Sequence, residues 1–547
     1  MFGGVAAMMI GMKVMGAALE HVAGGGMKRL LGKVTSNRFA GVGVGVAVTS
    51  IIQSSTATTV MLVGFVNVGL MTLVQATNVI MGANIGTTVT AHIVSLSGVG
   101  DIDIGAIAAM IGCVGILMSM LVKKEKVINI GNILAGLGLI FVGLEFISIF
   151  AKEIMFANVE DKIPHDWVAT IFQGDHFPLL LVIIGLVLTA LVHSSSTITS
   201  LMVVLASIGV LSFNNALFLA LGSNIGTCLT SIMSSAGTNV NAKRTAVVHL
   251  LFNLFGCIIF IAPIWILKAE ITELFASMSG DVGQQIAIFH TLFNVITTLV
   301  LLPFSQYVVK LACLIVKDNK KVEDPRFKFA YIDDRLLSTP HVAASNIKKE
   351  IIRMSGYAKE NIDLAVEMLL NEEKDNAEII RSNEEALNFN NKAITAFLTK
   401  IMGKDLTEED DKKIGSYYHV VSDIERIGDY AENIMEYALR LRANELVFSA
   451  DAKAEIDQIK NYFDELYDTS IKAFDLRDLV LLNEVDVLEQ KIDDYSAELE
   501  HRHIERVKDG MCNAETGSIF LQTISNLERV GDHITNVAFS LKQYRHK

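Results

Sequence analysis

The chain has 547 residues, 51% of them hydrophobic, and a mean hydropathy of +0.43, too long for one compact core and too apolar for an ordinary soluble protein. Its net charge of −13 is unevenly placed: residues 1–317 hold 15 Lys/Arg and 13 Asp/Glu, whereas residues 318–547 hold 31 and 46. The acidic balance argues against nucleic acid as a partner, because phosphate backbones need basic surface.

In chain order, Val5–Ala18 reads as a short first membrane helix; it has neither the basic flank nor the cleavage site of a signal peptide. Phe39 to Gly100 then runs 62 residues without a single Asp, Glu, Lys or Arg. Ile104–Val122 and Val127–Phe150 are apolar enough to span a bilayer, which takes about 20 residues. A second uncharged stretch, His176 to Ala242, covers 67 residues, and further spans are expected at Thr245–Leu267 and Gln285–Cys313. The cysteines Cys113, Cys228, Cys257, Cys313 and Cys512 are scattered, with no CxxC pair, so no disulfide framework is expected.

Basic residues mark the cytoplasmic side of short loops. Such clusters occur at Lys28, Arg29, Lys33 and Arg38, at Lys123, Lys124 and Lys126, at Lys243 and Arg244, and at Lys310 and Lys317. The net-acidic loops Lys152–Asp175 and Lys268–Asp281, with Asp101 and Asp103, are then outside. On this reading the two uncharged stretches cross in opposite directions. They are also copies: Thr49–Thr90 aligns with Thr189–Thr230 at a constant offset of 140. Gln53-Ser54-Ser55-Thr56 lies over His193-Ser194-Ser195-Ser196, Gly69 over Gly209, and Gly82–Thr87 over Gly222–Thr227. Inverted duplication of this kind marks secondary transporters with a site at the midplane. Each copy suggests a re-entrant hairpin plus a spanning helix, although three short helices also satisfy the parity.

Hydroxyl clusters in an apolar stretch need partners, and small residues often serve only as helix–helix glue. Two clusters at equivalent places favour a substrate site: Gln53, Ser54, Ser55, His193, Ser194 and Ser195 for an oxyanion. In the Gly-x-Asn-Ile-Gly-Thr segments the paired glycines are expected to let the helix unwind, so that Thr56, Asn84, Thr87, Ser196, Asn224 and Thr227 offer hard oxygens to an alkali cation. Neither repeat contains Arg or Lys, which makes cation coupling physically sensible for a phosphate dianion. His249/Asn253 and His290/Asn294 are similar i, i+4 pairs, read as interhelical hydrogen bonding around the site, with direct ligation as the alternative. His193 beside Ser194 is not a hydrolase dyad: neighbouring helical residues do not face each other, and no GxSxG, Walker or HExxH motif is present. The chain is read as no enzyme.

From Arg326 the pattern becomes charged and amphipathic. Helices are expected at Ser345–Leu370, Ala377–Ile401, Lys413–Leu441, Ala452–Phe474, Val480–Lys508 and Ser518–Tyr544, after a linker at residues 318–334. Within them Glu425, Asp429 and Asn433 recur as Glu528, Asp532 and Asn536, with a weaker pair at Glu384/Asn388 and Glu489/Asp493. Such stripes suit a metal or a solvated ion-pair face, and Glu425, Asp429, Glu528 and Asp532 are the candidate metal ligands.

On these motifs the sequence resembles the type II sodium-dependent phosphate transporter family, followed by a PhoU-like domain from about residue 335. The resemblance implies an all-α membrane domain (1–317) of two inverted repeats with re-entrant hairpins and a cytoplasmic helical bundle (335–547). It implies Na⁺/phosphate symport across the cytoplasmic membrane, with Na⁺ as coupling ion, a divalent or iron metal in the tail, and a regulatory partner or oligomer contact there. Two positions depart from the family pattern: Thr56 replaces a third serine but keeps a hydroxyl, and His193 stands where Gln is common. A phosphate-sensing membrane protein, or a carrier of another oxyanion, is the alternative reading.

Overall fold

The computed structural model is almost entirely α-helical and describes residues 2–32, 37–96, 104–158, 160, 163–318, 324–404, 406, 408–510 and 512–540. Asp101, Asp103, Lys33 and the last residues of the expected sixth tail helix lie outside the described residues, as do the side chains of Lys28 and Arg29. Two compact units divide the chain, residues 1–319 and 320–547.

The first unit begins with α1 (Phe2–Gly32), α2 (Arg38–Ile52), α3 (Ser55–Asn67), α4 (Leu73–Ser95), α5 (Ile104–Leu121) and α6 (Glu125–Met155). A two-stranded hairpin, β1 (Phe156–Asn158) with β2 (Ile163–Pro164), and the single turn α7 (Asp166–Val168) follow. Next come α8 (Pro178–Val192), α9 (Ser195–Ser207), α10 (Phe213–Ser234), α11 (Val240–Ile266), α12 (Lys268–Met278), α13 (Val282–Leu301) and α14 (Ser305–Ile315). Five of these helices are long and apolar enough to cross a membrane: α1 over Phe2–Leu19, α6, α10, α11 and α13. The expected single span Gln285–Cys313 is instead two helices, because Pro303 lies in the break between Leu301 and Ser305 and cannot continue the backbone ladder.

The repeat is visible in the backbone. α2, α3 and α4 recur as α8, α9 and α10, with matched N-caps at Ser54/Ser194 and Thr72/Ser212. Gly69 and Gly209, two residues after the ends of α3 and α9, both take the left-handed conformation (φ 70° and 80°) that glycine adopts without steric cost. The helices α3, α4, α9 and α10 pack on one another, so each repeat is buttressed by the other.

The second unit contains α15 (Pro340–Leu370), α16 (Ala377–Met402), α17 (Glu408–Ala443), α18 (Ala450–Leu476), α19 (Leu481–Lys508) and α20 (Ala514–Phe539). Helices α15–α17 pack as one three-helix bundle and α18–α20 as a second, joined through α17 against α20. Ile351, Leu387, Ile424, Phe463, Leu499 and Leu527, one from each helix, are fully buried in the core. Short 3₁₀ turns at Pro325–Phe327 and Asp334–Ser338 precede α15. This part of the expected linker is fastened to the bundle: Glu350, fully buried, accepts from the backbone N–H of Ala330 and Tyr331 at 3.0 and 2.7 Å.

Candidate functional site

The two serine motifs sit at helix breaks of the same shape. Gln53 ends α2 with φ 57°, ψ 24°, and His193 ends α8 with φ 58°, ψ 23°. A non-glycine residue in the left-handed region is uncommon, and here it occurs twice at an offset of 140. Ser54 (φ −148°, ψ 105°) and Ser194 (φ −149°, ψ 107°) then cap α3 and α9. Their Oγ atoms accept from the N–H of Ala57 at 3.1 Å and of Thr197 at 3.2 Å. Each hydroxyl thus spends acceptor capacity on its own helix, Ser194 Oγ twice, since Thr197 Oγ1 also donates to it at 2.8 Å. Behind each break a threonine holds the turning residue: Thr90 Oγ1 donates to Gln53 Oε1 at 2.7 Å, and Thr230 Oγ1 shares a 3.1 Å hydrogen bond with His193 Nδ1.

Both breaks open on one cavity of about 330 Å³. Gln53 and Ser54 line it from the first repeat, Ser194, Ser196 and Thr197 from the second, and α1 closes it from the side. Of the oxyanion candidates, Gln53, Ser54 and Ser194 are therefore brought together. Ser55 and Ser195 are buried at the first positions of α3 and α9, and His193 is exposed. Ser196, expected as a cation ligand, lines the same cavity as the oxyanion candidates.

The expectation that the Gly-x-Asn-Ile-Gly-Thr segments unwind is corrected: α4 and α10 run through them without a break. The glycines serve close packing instead. A Cβ on Gly82 would lie 1.9 Å from the Val42 carbonyl oxygen, and one on Gly222 1.9 Å from that of Val182. The backbone carbonyls there stay in the helices. Asn84 Nδ2 donates to Ile80 O at 2.9 Å, Thr87 Oγ1 to Ala83 O at 3.0 Å and Thr227 Oγ1 to Asn224 O at 2.6 Å. Any cation here depends on side-chain oxygens.

His249, Asn253 and His290 reach α10, whereas Asn294 Nδ2 donates to the His290 carbonyl of its own helix at 2.8 Å. His249 Nδ1 shares a 3.1 Å bond with Ser231 Oγ, Asn253 Nδ2 lies 3.3 Å from Cys228 Sγ, and His290 Nε2 donates to Asn224 Oδ1 at 3.2 Å. These three bonds are of the interhelical kind their spacing suggests.

In the second unit the carboxylates gather into two clusters. Glu384 of α16, 6% exposed, reaches over Gly428 on α17, where a Cβ would meet its Oε2 at 2.4 Å. Burial first, then Asp429, Glu432 and Glu425, push its carboxyl up to about 8; Glu425 and Asp429 are raised mainly by burial. Among the described residues Glu384 Oε2 has no hydrogen-bond partner. In the other bundle, one oxygen each from Glu489, Asp493 and Asp532 lie within 4.8 Å of one another. There Glu489, Asp493 and Glu528 are raised by burial and then by neighbouring carboxylates.

The profile of the Na⁺/Pi-cotransporter family matches residues 7–149 and 155–293, and that of the PhoU domain matches 351–438 and 456–541. The chain belongs to the Na⁺/Pi-cotransporter family. Each PhoU match covers most of one three-helix bundle. YjbB of Escherichia coli (strain K12), a protein named for inorganic phosphate export, is 24% identical over 540 residues, 98% of this chain and 96% of its own. YqeW of Bacillus subtilis (strain 168) is 30% identical over 273 residues, 50% of this chain and 83% of its own. The sodium-dependent phosphate transport protein 2C of Rattus norvegicus is 30% identical over 160 residues, 28% of this chain and 24% of its own.

In this cotransporter-family chain, sequence reasoning left Lys13 and Gly16 of α1 out of the cavity, because α1 lies outside the repeats. It also left Glu384, Glu489 and Asp493 out of the metal candidates. Their weaker repeat was the available signal.

Proposed function

We propose that the chain carries inorganic phosphate across the cytoplasmic membrane in symport with Na⁺. One observation carries this reading: two hydroxyl-capped helix breaks of the same geometry line one cavity. The free N–H groups at the start of α3 and α9, with the Ser54 and Ser194 hydroxyls, suit a tetrahedral oxyanion. Side-chain oxygens for Na⁺ come from Thr56 and Ser196 on α3 and α9 themselves and from Asn84, Thr87, Asn224 and Thr227 on α4 and α10, which pack against them. At 15 and 13 residues, α2 and α3 are about 22 and 20 Å long, short of the ~30 Å hydrocarbon core, which supports a re-entrant hairpin in each of two inverted repeats. Labelled phosphate uptake by proteoliposomes, with and without a Na⁺ gradient, tests the reading. Gradient-independent uptake, or none, overturns it. The naming of YjbB favours outward operation of the same site, which efflux from phosphate-loaded vesicles measures directly.

The tail is proposed to be cytoplasmic and regulatory. Its two clusters suit a divalent or iron ion, with Glu384, Glu425 and Asp429 holding one and Glu489, Asp493, Glu528 and Asp532 the other. Three convergent carboxylate oxygens and the orphaned Glu384 Oε2 fit that role. Metal analysis of the purified chain tests it.

A further inference from the structure

We infer that Lys13 is the cationic phosphate-binding residue of the transport cavity, an assignment that rests on the phosphate reading above. Neither Phe39–Gly100 nor His176–Ala242 contains Lys or Arg, so these stretches alone leave the anion to helix ends, hydroxyls and co-bound cations. The fold adds what the repeats lack. On α1, Met9, Met12, Lys13, Gly16 and Ala17 form one helical stripe, and all five line the cavity that Ser54 and Ser194 also line.

The contact that seats this stripe is specific. A Cβ on Gly16 would lie 2.8 Å from the Ile52 carbonyl oxygen and 3.9 Å from the Gln53 Cβ. The absence of a side chain lets α1 settle against the break itself. Lys13, one turn before Gly16, is thereby delivered to the mouth of the break. Among the described residues it has no hydrogen bond or ion pair, and its side chain is exposed. An ammonium group on a membrane helix is costly in hydrocarbon and is found facing partners or water-filled cavities. Here the available partner is whatever anion occupies the cavity. Its flexible stem and three donors suit a phosphate oxygen as a point charge.

The test uses the full-length protein in proteoliposomes and inorganic phosphate as ligand. Lys13→Gln is expected to raise the phosphate KM about tenfold or more. Half-activation by Na⁺ should stay near that of the wild type, and Lys13→Arg should recover most of the loss. Independently of any variant's folding, acylation of Lys13 in the wild-type protein, followed by mass spectrometry, should slow when phosphate replaces chloride at equal ionic strength. Lys13→Gln with the wild-type phosphate KM, or Lys13 acylated equally fast with and without phosphate, overturns the assignment. Failure of the parent reading looks different: wild-type vesicles then take up no phosphate, and Ser194→Ala changes nothing.

Discussion

The two helix breaks share a backbone and differ in side chain. At the first, Gln53 is buried and doubly tied, its Oε1 accepting from Thr90 and its Nε2 donating to the Ser50 carbonyl. At the second, His193 holds the same dihedral angles with a bond to Thr230, yet is exposed. The asymmetry extends one layer back: Asn224 receives His290 Nε2, whereas Asn84 Nδ2 is turned to its own helix. The left-handed turn and the serine cap are thus common to both halves, and the turning side chain is where they differ.

The largest effect should come from the glycines that seat α2 on α4 and α8 on α10. Gly82→Ala and Gly222→Ala each place a Cβ against a backbone carbonyl that cannot rotate away, at a cost of ~3 kcal/mol or more. Loss of folded, inserted protein is expected for both, read as membrane yield and detergent melting. If one variant folds normally, the two repeats are not packed equivalently.

The caps come next. Ser54→Ala and Ser194→Ala each remove a helix cap and a hydroxyl donor on the cavity, together costing ~2–4 kcal/mol. Uptake should fall at least tenfold in both while insertion persists. Ser55→Ala and Ser195→Ala remove buried hydroxyls at the first helical positions, and the comparison ranks their losses at or below those of the caps. Wild-type uptake kinetics in either cap variant break the proposed equivalence.

A smaller effect is expected from making the halves alike. Gln53 shows that an amide can hold this turn against the threonine behind it. His193→Gln should therefore keep phosphate uptake within about threefold of wild type, since the exchanged hydrogen bond is worth only ~1 kcal/mol. A complete loss would mean that the imidazole takes part in transport beyond shaping the turn.

How much of this was legible in the sequence follows from what each residue does. The offset of 140 and the paired serine motifs can be read directly, because helix caps are local chemistry. The six tail helices can be read from apolar spacing. The role of Gly82 and Gly222 cannot, since glycine suits unwinding and close packing alike, and only the position of Val42 and Val182 decides. Pro303 did carry a signal for the break between α13 and α14, which apolar length alone concealed. Lys13 depends on how α1 docks, a tertiary fact absent from the repeats. The same holds for Glu384, whose burial is created by Gly428 on another helix.

The smallest expected effect on transport lies in the tail, where it is best read as stability. In the folded tail Glu384 stays protonated to about 8, against the ordinary 4.5 it regains on unfolding. Between those limits the folded state binds more protons than the unfolded chain, so stability falls as pH rises through this window. Below it both states are protonated and the contribution vanishes; above it both are ionised and the full penalty stands. Glu425 and Asp429 are raised as well and add in the same direction. Residues 320–547, stripped with a chelator, should therefore melt lower at about pH 8.5 than at about pH 5.5, and Glu384→Gln should flatten much of that slope. A bound divalent ion competes with those protons, so Mn²⁺ should raise the melting temperature most at the alkaline end and reverse the trend. A chelated tail whose melting temperature is level across the range would show that the Glu384 cluster is relaxed in the folded bundle. Mn²⁺ leaving the melt unchanged at the alkaline end would return both carboxylate stripes to the solvated ion-pair role that Arg426 and Arg529 also permit.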